Sequence, residues 1–168
     1  MLVPCFVASL VYYHPTRDGL RYLSLVLFAI GILSDALDGL VARSKGQASQ
    51  LGTILDPVAD KLLILSALIS LSTIRALPEW MRIPAWFNLI VISRDAILIF
   101  GTLVLFWLTG KLTIRPSVLG KCTIAAQMGV VPAVLLGLPL KMELLTVVAV
   151  MTVVSGMDYL RMGVRELS

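Results

Sequence analysis

Long apolar runs separated by short polar segments make up most of this chain, and they constrain its fold more than any other feature. A helix that crosses the hydrocarbon core of a membrane needs about 20 mostly apolar residues. Hydrophobic residues make up 58% of the 168 residues and charged residues only 14%, whereas soluble domains contain about 25% charged residues. The sequence therefore predicts an all-α integral membrane protein, and it argues against a disordered chain, a disulfide scaffold or a coiled coil.

Six helices are predicted. The first apolar run, Met1–Tyr13, contains Pro4 and is too short to span a membrane, so we expect a truncated first helix. The other predicted helices are Leu20–Arg43, a helix from near Pro57 to Leu77, Ile83–Leu108, Ser117–Leu136 and Leu140–Tyr159, with Ser44–Thr53 as a polar loop. We expect a six-transmembrane-helix bundle in which residues 1–168 form a single membrane domain.

The charge pattern predicts an orientation in the membrane. The formal net charge of +4 favours contact with anionic lipid and gives no indication of nucleic-acid binding. If the segment 35–60 faces the cytoplasm, the cations at the inside ends are Arg43, Lys45, Lys61, Lys111, Arg115, Lys121, Arg161 and Arg165. Those at the outside ends are then Arg17, Arg21, Arg75, Arg82 and Lys141. The excess of inside cations favours this orientation.

Four aspartates lie close together in the sequence. Asp35 and Asp38 are three residues apart and Asp56 and Asp60 are four apart, so each pair shares one helix face. The intervening loop brings the two faces together as an antiparallel pair. Singly, Asp56 fits a helix N-cap and Asp38 fits a turn. Neither alternative explains two pairs on matching faces.

Four carboxylates that converge at the edge of a bilayer repel one another and lose hydration, at a free-energy cost of several kcal/mol for each carboxylate. They therefore need a cation. The only histidine, His14, lies at the opposite end, and no cysteine is near. An all-oxygen site selects a hard cation such as Mg²⁺ or Mn²⁺. Four carboxylates suffice for two such ions, which can clamp the oxygens of a displacement at phosphorus. The pattern predicts phosphoryl transfer on a membrane-side substrate.

These residues also carry a family resemblance. The chain reads Asp35-x-x-Asp38-Gly39-x-x-Ala42-Arg43, then eight residues, then Gly52-x-x-x-Asp56-x-x-x-Asp60. This pattern resembles, without a gap, the signature of the CDP-alcohol phosphatidyltransferases. The six-helix layout extends the resemblance over nearly the whole chain.

The resemblance implies a reaction and a set of roles. An alcohol would attack the lipid-bearing phosphorus of CDP-diacylglycerol, and CMP would leave. The four aspartates would hold two divalent ions, Mg²⁺ or Mn²⁺, and Asp60 would also be the general base. Gly39, Ala42, Arg43, Ser49 and Gly52 would form the CDP-lipid site. The resemblance further implies a homodimer whose site opens to the cytoplasmic leaflet, and we expect a multi-pass protein of a bacterial inner membrane.

The acceptor alcohol is less constrained. Arg94, Arg115 and Lys121 are the predicted acceptor ligands, because a phosphate-bearing alcohol needs cations. The segments Val91–Asp95 and Arg115–Lys121 resemble the phosphatidylglycerophosphate synthases of the family, which use glycerol-3-phosphate. The same segments, with Gly46–Ser49, also resemble its cardiolipin synthases, which use phosphatidylglycerol.

Arg94 has a structural alternative. An arginine near the middle of a membrane helix is expected to be functional, but it could instead bond a helix-end carbonyl or Asp158. Asp95 should point about 100° away from Arg94 on the helix, so we do not expect these neighbours to pair.

An ion transporter is the main alternative outside enzymes, since intramembrane carboxylates also mark ion paths. A transporter favours charges spread over several helices near the midplane. The aspartates of this chain are instead clustered near one leaflet, which favours the enzyme.

Overall fold

The computed structural model describes residues 2–13, 18–45, 50–109 and 118–167, and the side chains of residues 35–45 and 50–60 lie outside this description. Within these ranges the regular structure is helical throughout. The helices are α1 (Leu2–Val11), α2 (Asp18–Lys45), α3 (Gln50–Thr73), a 3₁₀ helix (Glu79–Met81), α4 (Ala85–Thr109), α5 (Val118–Leu135) and α6 (Lys141–Leu167). The six α-helices agree with the number that the sequence predicts.

Among the residues whose side chains the structure describes, three helical segments are long and apolar enough to cross a membrane. They are Glu79–Leu105, Val118–Leu135 and Lys141–Val164. Two further apolar helical segments, Gly19–Ser34 and Lys61–Thr73, are shorter. These segments mark the chain as a membrane protein, and the number of spans stays a prediction.

The start of α3 differs from the prediction. The helix begins at Gln50 rather than near Pro57, so Asp56 is not a helix N-cap and Pro57 lies inside the helix. Of the predicted loop Ser44–Thr53, residues 44–45 and 50–53 are helical, and residues 46–49 are outside the described ranges. A proline inside a soluble helix removes a backbone hydrogen bond. Membrane proteins tolerate this because neighbouring groups satisfy the freed carbonyl.

The first compact unit comprises Met1–Ile83 together with Val131–Gly137. Helix α1 packs against both α2 and α3. The rings of Phe6 and Phe28 join α1 to α2 with their centroids 5.7 Å apart. The hydroxyls of Ser9 and Ser24 lie 2.7 Å apart between the same helices, so this buried polar pair is satisfied.

The second compact unit comprises Pro84–Val130 together with Leu138–Ser168. Its main packing joins α4 to α6. The Tyr159 hydroxyl of α6 lies 2.6 Å from the Thr102 hydroxyl of α4. Helix α6 continues well beyond Tyr159, because hydropathy marks the end of the apolar stretch and not the end of the helix.

Candidate active site

The four predicted metal-binding aspartates all lie on helical backbone of the first unit. Asp35 and Asp38 belong to α2, and Asp56 and Asp60 belong to α3. Their side chains are outside the described part, so their positions follow from the helix register alone. Both pairs are on helical backbone, and the role of the four aspartates as metal ligands stays a prediction.

A close contact fixes how α2 and α3 pack beside the aspartates. A Cβ atom placed on Gly31 would lie 3.1 Å from Leu63 Cδ2 and 3.3 Å from Leu63 Cδ1. Gly31 stands fourteen residues before the end of α2, and Leu63 stands thirteen residues after the start of α3. Contact at nearly equal distances from the connection requires two helices that run side by side in opposite directions. Glycine at position 31 lets Leu63 approach the α2 backbone.

The aspartates of α2 and those of α3 lie at similar distances from this contact along their helices. Asp38 is seven residues after Gly31, and Asp56 is seven residues before Leu63. Seven residues make nearly two full turns, so each aspartate is on the face of its contact residue, about 10 Å further along the pair. Asp35 and Asp60 are four and three residues from the same contact, about 5 Å along it. Helix geometry therefore predicts that both aspartate pairs share the contacting faces of α2 and α3.

This arrangement suits hard divalent cations. Carboxylate oxygens from two adjacent helices are the ligands that Mg²⁺ and Mn²⁺ prefer. Four carboxylates on contacting faces also need neutralising charge to remain ionised beside a bilayer. Among the side chains that the structure describes, no group of three or more His, Cys, Asp or Glu residues comes together to hold a metal. The side chains of the four aspartates are outside the described part, so a metal site at them stays a prediction.

The predicted CDP-lipid residues flank the aspartates along the same two helices. Gly39, Ala42 and Arg43 lie in the last third of α2, and Gly52 lies in the first turn of α3. Ser49 is outside the described residues. The register therefore carries the small residues and one arginine toward the connection between α2 and α3, beyond the aspartates.

Arg94 is buried and already bonded within the second unit. Its Nη1 donates to Asp95 Oδ1 at 2.8 Å, and its Nη2 donates to Ser155 Oγ on α6 at 3.1 Å. The expectation that Arg94 and Asp95 do not pair is therefore wrong. Their Cα–Cβ bonds do diverge around the helix. The long arginine stem nevertheless lets the guanidinium turn back to its neighbour, since a buried charge gains strongly from a partner.

The structure gives little information on the contacts of the other two predicted acceptor ligands. Lys121 is exposed in the first turn of α5, and Arg115 is outside the described residues. Whether these cations meet an acceptor stays a prediction.

Helix α6 carries a line of polar groups that the sequence does not single out. Thr152, Ser155 and Tyr159 are all buried. Thr152 accepts a hydrogen bond from Gln127 Nε2 of α5 at 3.0 Å, Ser155 holds Arg94, and Tyr159 meets Thr102 of α4. Gln127 thus bridges two helices, as the sequence allowed. The missed signal is hydroxyl residues at helical spacing in an apolar run, the usual positions for interhelical hydrogen bonds in membranes.

Comparison with known proteins identifies the family. Residues 1–155 match the CDP-alcohol phosphatidyltransferase family. This match covers nearly the whole chain, including both aspartate pairs and the polar contacts of α4. The chain belongs to the CDP-alcohol phosphatidyltransferase family, and it is an enzyme of that family.

Individual relatives carry more specific names. A Mycobacterium tuberculosis protein named "Probable phosphatidylglycerophosphate synthase" is 30% identical over 99% of this chain and 78% of its own length. The Haemophilus influenzae CDP-diacylglycerol–glycerol-3-phosphate 3-phosphatidyltransferase is 32% identical over 97% of this chain and 87% of its own length. The Streptomyces coelicolor cardiolipin synthase (CMP-forming) is 41% identical, but over 51% of this chain and 35% of its own length.

Proposed function

We propose that the chain transfers a phosphatidyl group from CDP-diacylglycerol to glycerol-3-phosphate and releases CMP. The observation that supports the proposal is the register of α2 and α3, which predicts four aspartates on contacting helix faces inside a sequence of the CDP-alcohol phosphatidyltransferase family. Of the relatives that match nearly the whole chain, one is named as a phosphatidylglycerophosphate synthase and another as a glycerol-3-phosphate 3-phosphatidyltransferase. We place residues 1–168 in one catalytic domain.

The four aspartates have two roles in this proposal, metal binding and proton transfer. Asp35, Asp38, Asp56 and Asp60 would hold two divalent cations, Mg²⁺ or Mn²⁺, which neutralise charge on the diphosphate when bound. Asp60 accepts the proton of the acceptor hydroxyl. The freed oxygen forms a bond to the lipid-bearing phosphorus, and the bond from that phosphorus to the CMP oxygen breaks. Gly39, Ala42, Arg43, Ser49 and Gly52 bind the CDP-lipid.

Phosphatidylglycerol is the second candidate acceptor. It is favoured by the Streptomyces coelicolor cardiolipin synthase, whose identity to this chain is higher but is confined to about half of it. For glycerol-3-phosphate, we assign Arg115 and Lys121 as the cations that bind the acceptor phosphate. Arg94 has two of its three nitrogens bonded to protein, which favours a structural role for it.

The setting of the reaction is part of the proposal. We infer a homodimer in a bacterial inner membrane, with the aspartates facing the cytoplasm. The orientation rests on the excess of Lys and Arg at the helix ends predicted to lie on the same side of the membrane as the aspartates.

Release of CMP tests the reaction directly. Purified protein in lipid would receive CDP-diacylglycerol and Mg²⁺ with glycerol-3-phosphate, phosphatidylglycerol or inositol phosphate in separate reactions. We expect CMP release with glycerol-3-phosphate and complete loss on addition of EDTA, restored by excess Mg²⁺ or Mn²⁺.

The other outcomes assign the alternatives. Release with phosphatidylglycerol alone would replace the acceptor and keep the reaction. Release that resists EDTA would contradict the metal proposal. Uptake of a cation into sealed vesicles without CMP release from CDP-diacylglycerol would favour the ion transporter.

A further inference from the structure

We propose that Arg21, with Tyr22 and Trp80, binds the phosphate of an anionic phospholipid at the end of the first unit remote from the aspartates. Arg21 lies in the first turn of α2, fourteen residues before Asp35 and so about 21 Å from it along the helix. This lipid site is separate from the proposed reaction and does not depend on it.

Two aromatic rings hold the Arg21 guanidinium. Its Cζ atom lies 4.9 Å from the centroid of the Tyr22 ring and 5.3 Å from the centroid of the Trp80 ring. Stacking against a ring face leaves the N–H groups of a guanidinium free in its plane, which is the geometry that binds phosphate oxygens. Nη2 donates one N–H to the Tyr22 hydroxyl at 3.3 Å and Nε is buried, so Nη1 and the second N–H of Nη2 are the groups that a phosphate would meet.

Trp80 is fixed in turn by the chain beneath it. A Cβ atom on Gly137 would lie 3.3 Å from Trp80 Cζ3, and Gly137 has a φ of +69°, which favours glycine. The Trp80 ring therefore rests on backbone that only glycine supplies without strain. A rigid ring keeps the guanidinium in place before any ligand arrives, which lowers the entropy cost of binding.

Arg21 differs from the other arginines described at this end. Arg82 donates from Nε to Leu77 O at 3.0 Å and from Nη2 to Arg75 O, so its guanidinium caps the backbone after α3. Arg75 is exposed. With Glu79 as the acidic side chain described here, the three arginines leave an excess of positive charge that suits an anionic headgroup.

The surface beside Arg21 favours a lipid over free phosphate. Tyr22 and Trp80 are 51% and 42% exposed, and such aromatic side chains characterise the headgroup level of membranes. From Tyr22 an exposed apolar ridge follows one face of α2 through Val26, Ile30 and Leu33. A phosphate bound at Arg21 would place an acyl chain along this ridge toward the middle of the helix.

Native mass spectrometry of the full chain can test the site. Protein in detergent would be titrated with phosphatidylglycerol and, separately, with phosphatidylcholine, and the bound lipids counted. Arg21→Gln should weaken phosphatidylglycerol binding about tenfold or more, as expected for the loss of one charge-assisted hydrogen bond. Arg21→Lys, which keeps the charge but loses the planar fork, should weaken it less. Arg75→Gln removes the same charge from an exposed position at the same end and should weaken binding much less than Arg21→Gln does.

Each outcome bears on the proposal. Equal losses in the Arg21→Gln and Arg75→Gln variants would overturn it in favour of diffuse attraction between cations and lipid. Unchanged binding in all three variants would overturn it as well, and so would displacement of the lipid by an equal concentration of inorganic phosphate. If Arg21→Gln does not fold, the loss expected in Arg21→Lys decides the matter.

Discussion

Asp60 is the residue at which an effect on catalysis can be distinguished most clearly from an effect on folding. It is the proposed general base, and it stands three residues before Leu63, the side chain that packs over Gly31. A change from carboxylate to amide keeps the size of the side chain and removes the proton acceptor. The effect of that change on activity and on folding can therefore be measured independently.

The Asp60→Asn variant should lose turnover and keep its fold. General-base catalysis contributes about 10²-fold to 10⁴-fold, so CMP release should fall by at least about a hundredfold. The midpoint of thermal unfolding in detergent should stay near that of the wild type. Asp158→Asn, on half-buried Asp158 of α6, is the matched control and should remain active. Full activity in Asp60→Asn would contradict its role as base.

At the scale of elements, the spacing of α2 and α3 depends on one glycine. Leu63 is buried and already approaches the Gly31 backbone. A larger side chain at position 31 must therefore separate the helices or displace Leu63. Overpacking of this kind costs about 1–3 kcal/mol, and a separation would carry apart the two aspartate pairs one to two turns away.

Gly31→Val should therefore reduce CMP release by about tenfold or more, with an unfolding free energy lower by about 1–3 kcal/mol. Gly19→Val is the matched control, because nothing lies within 4 Å of a Cβ atom at Gly19 of the same helix. The double variant Gly31→Val/Leu63→Ala should recover part of both losses, since the two side chains compete for one space. Strict additivity of the two substitutions would contradict the contact.

The packing of α4 against α6 includes a buried arginine whose charge is neutralised by the neighbouring aspartate. Arg94 and Asp95 are both buried, and Ser155 connects them to α6. Removing one partner leaves an uncompensated buried charge, whereas removing both leaves none. The pair should consequently behave as one unit in a double-mutant cycle.

Arg94→Gln and Asp95→Asn should each destabilise the protein by about 3–5 kcal/mol, and the double variant by clearly less than their sum. Thermal or chemical unfolding in detergent gives these energies. Kinetics then determine the role of Arg94. An unchanged KM for glycerol-3-phosphate in the double variant is expected for a structural pair. A KM raised about tenfold or more would restore Arg94 as an acceptor ligand. Thr152→Val, which removes a different buried hydrogen bond of α6, controls for a general loss of packing.

For the whole molecule, the sequence is sufficient for the class of protein but not for the contacts between side chains, and its site stays a prediction. The apolar runs predict the helical membrane fold, and the spacing of the aspartates predicts two helix faces, because both signals repeat with the helix period. The start of α3 was misplaced because Pro57 normally marks a helix start, whereas a membrane protein accommodates it inside one. The Arg94–Asp95 pair was missed because helical geometry fixes where a Cβ points but not where a long side chain ends.

The location of Asp95 also affects how the chain enters the membrane during synthesis. A lone arginine at the centre of a helix costs about 3 kcal/mol to insert. The partner of Arg94 is its immediate neighbour, whereas Ser155 follows 61 residues later. Helix α4 therefore carries its own counter-charge when it leaves the ribosome, and its passage into the bilayer need not wait for α6. Had the carboxylate belonged to α6, the two helices would have had to insert together.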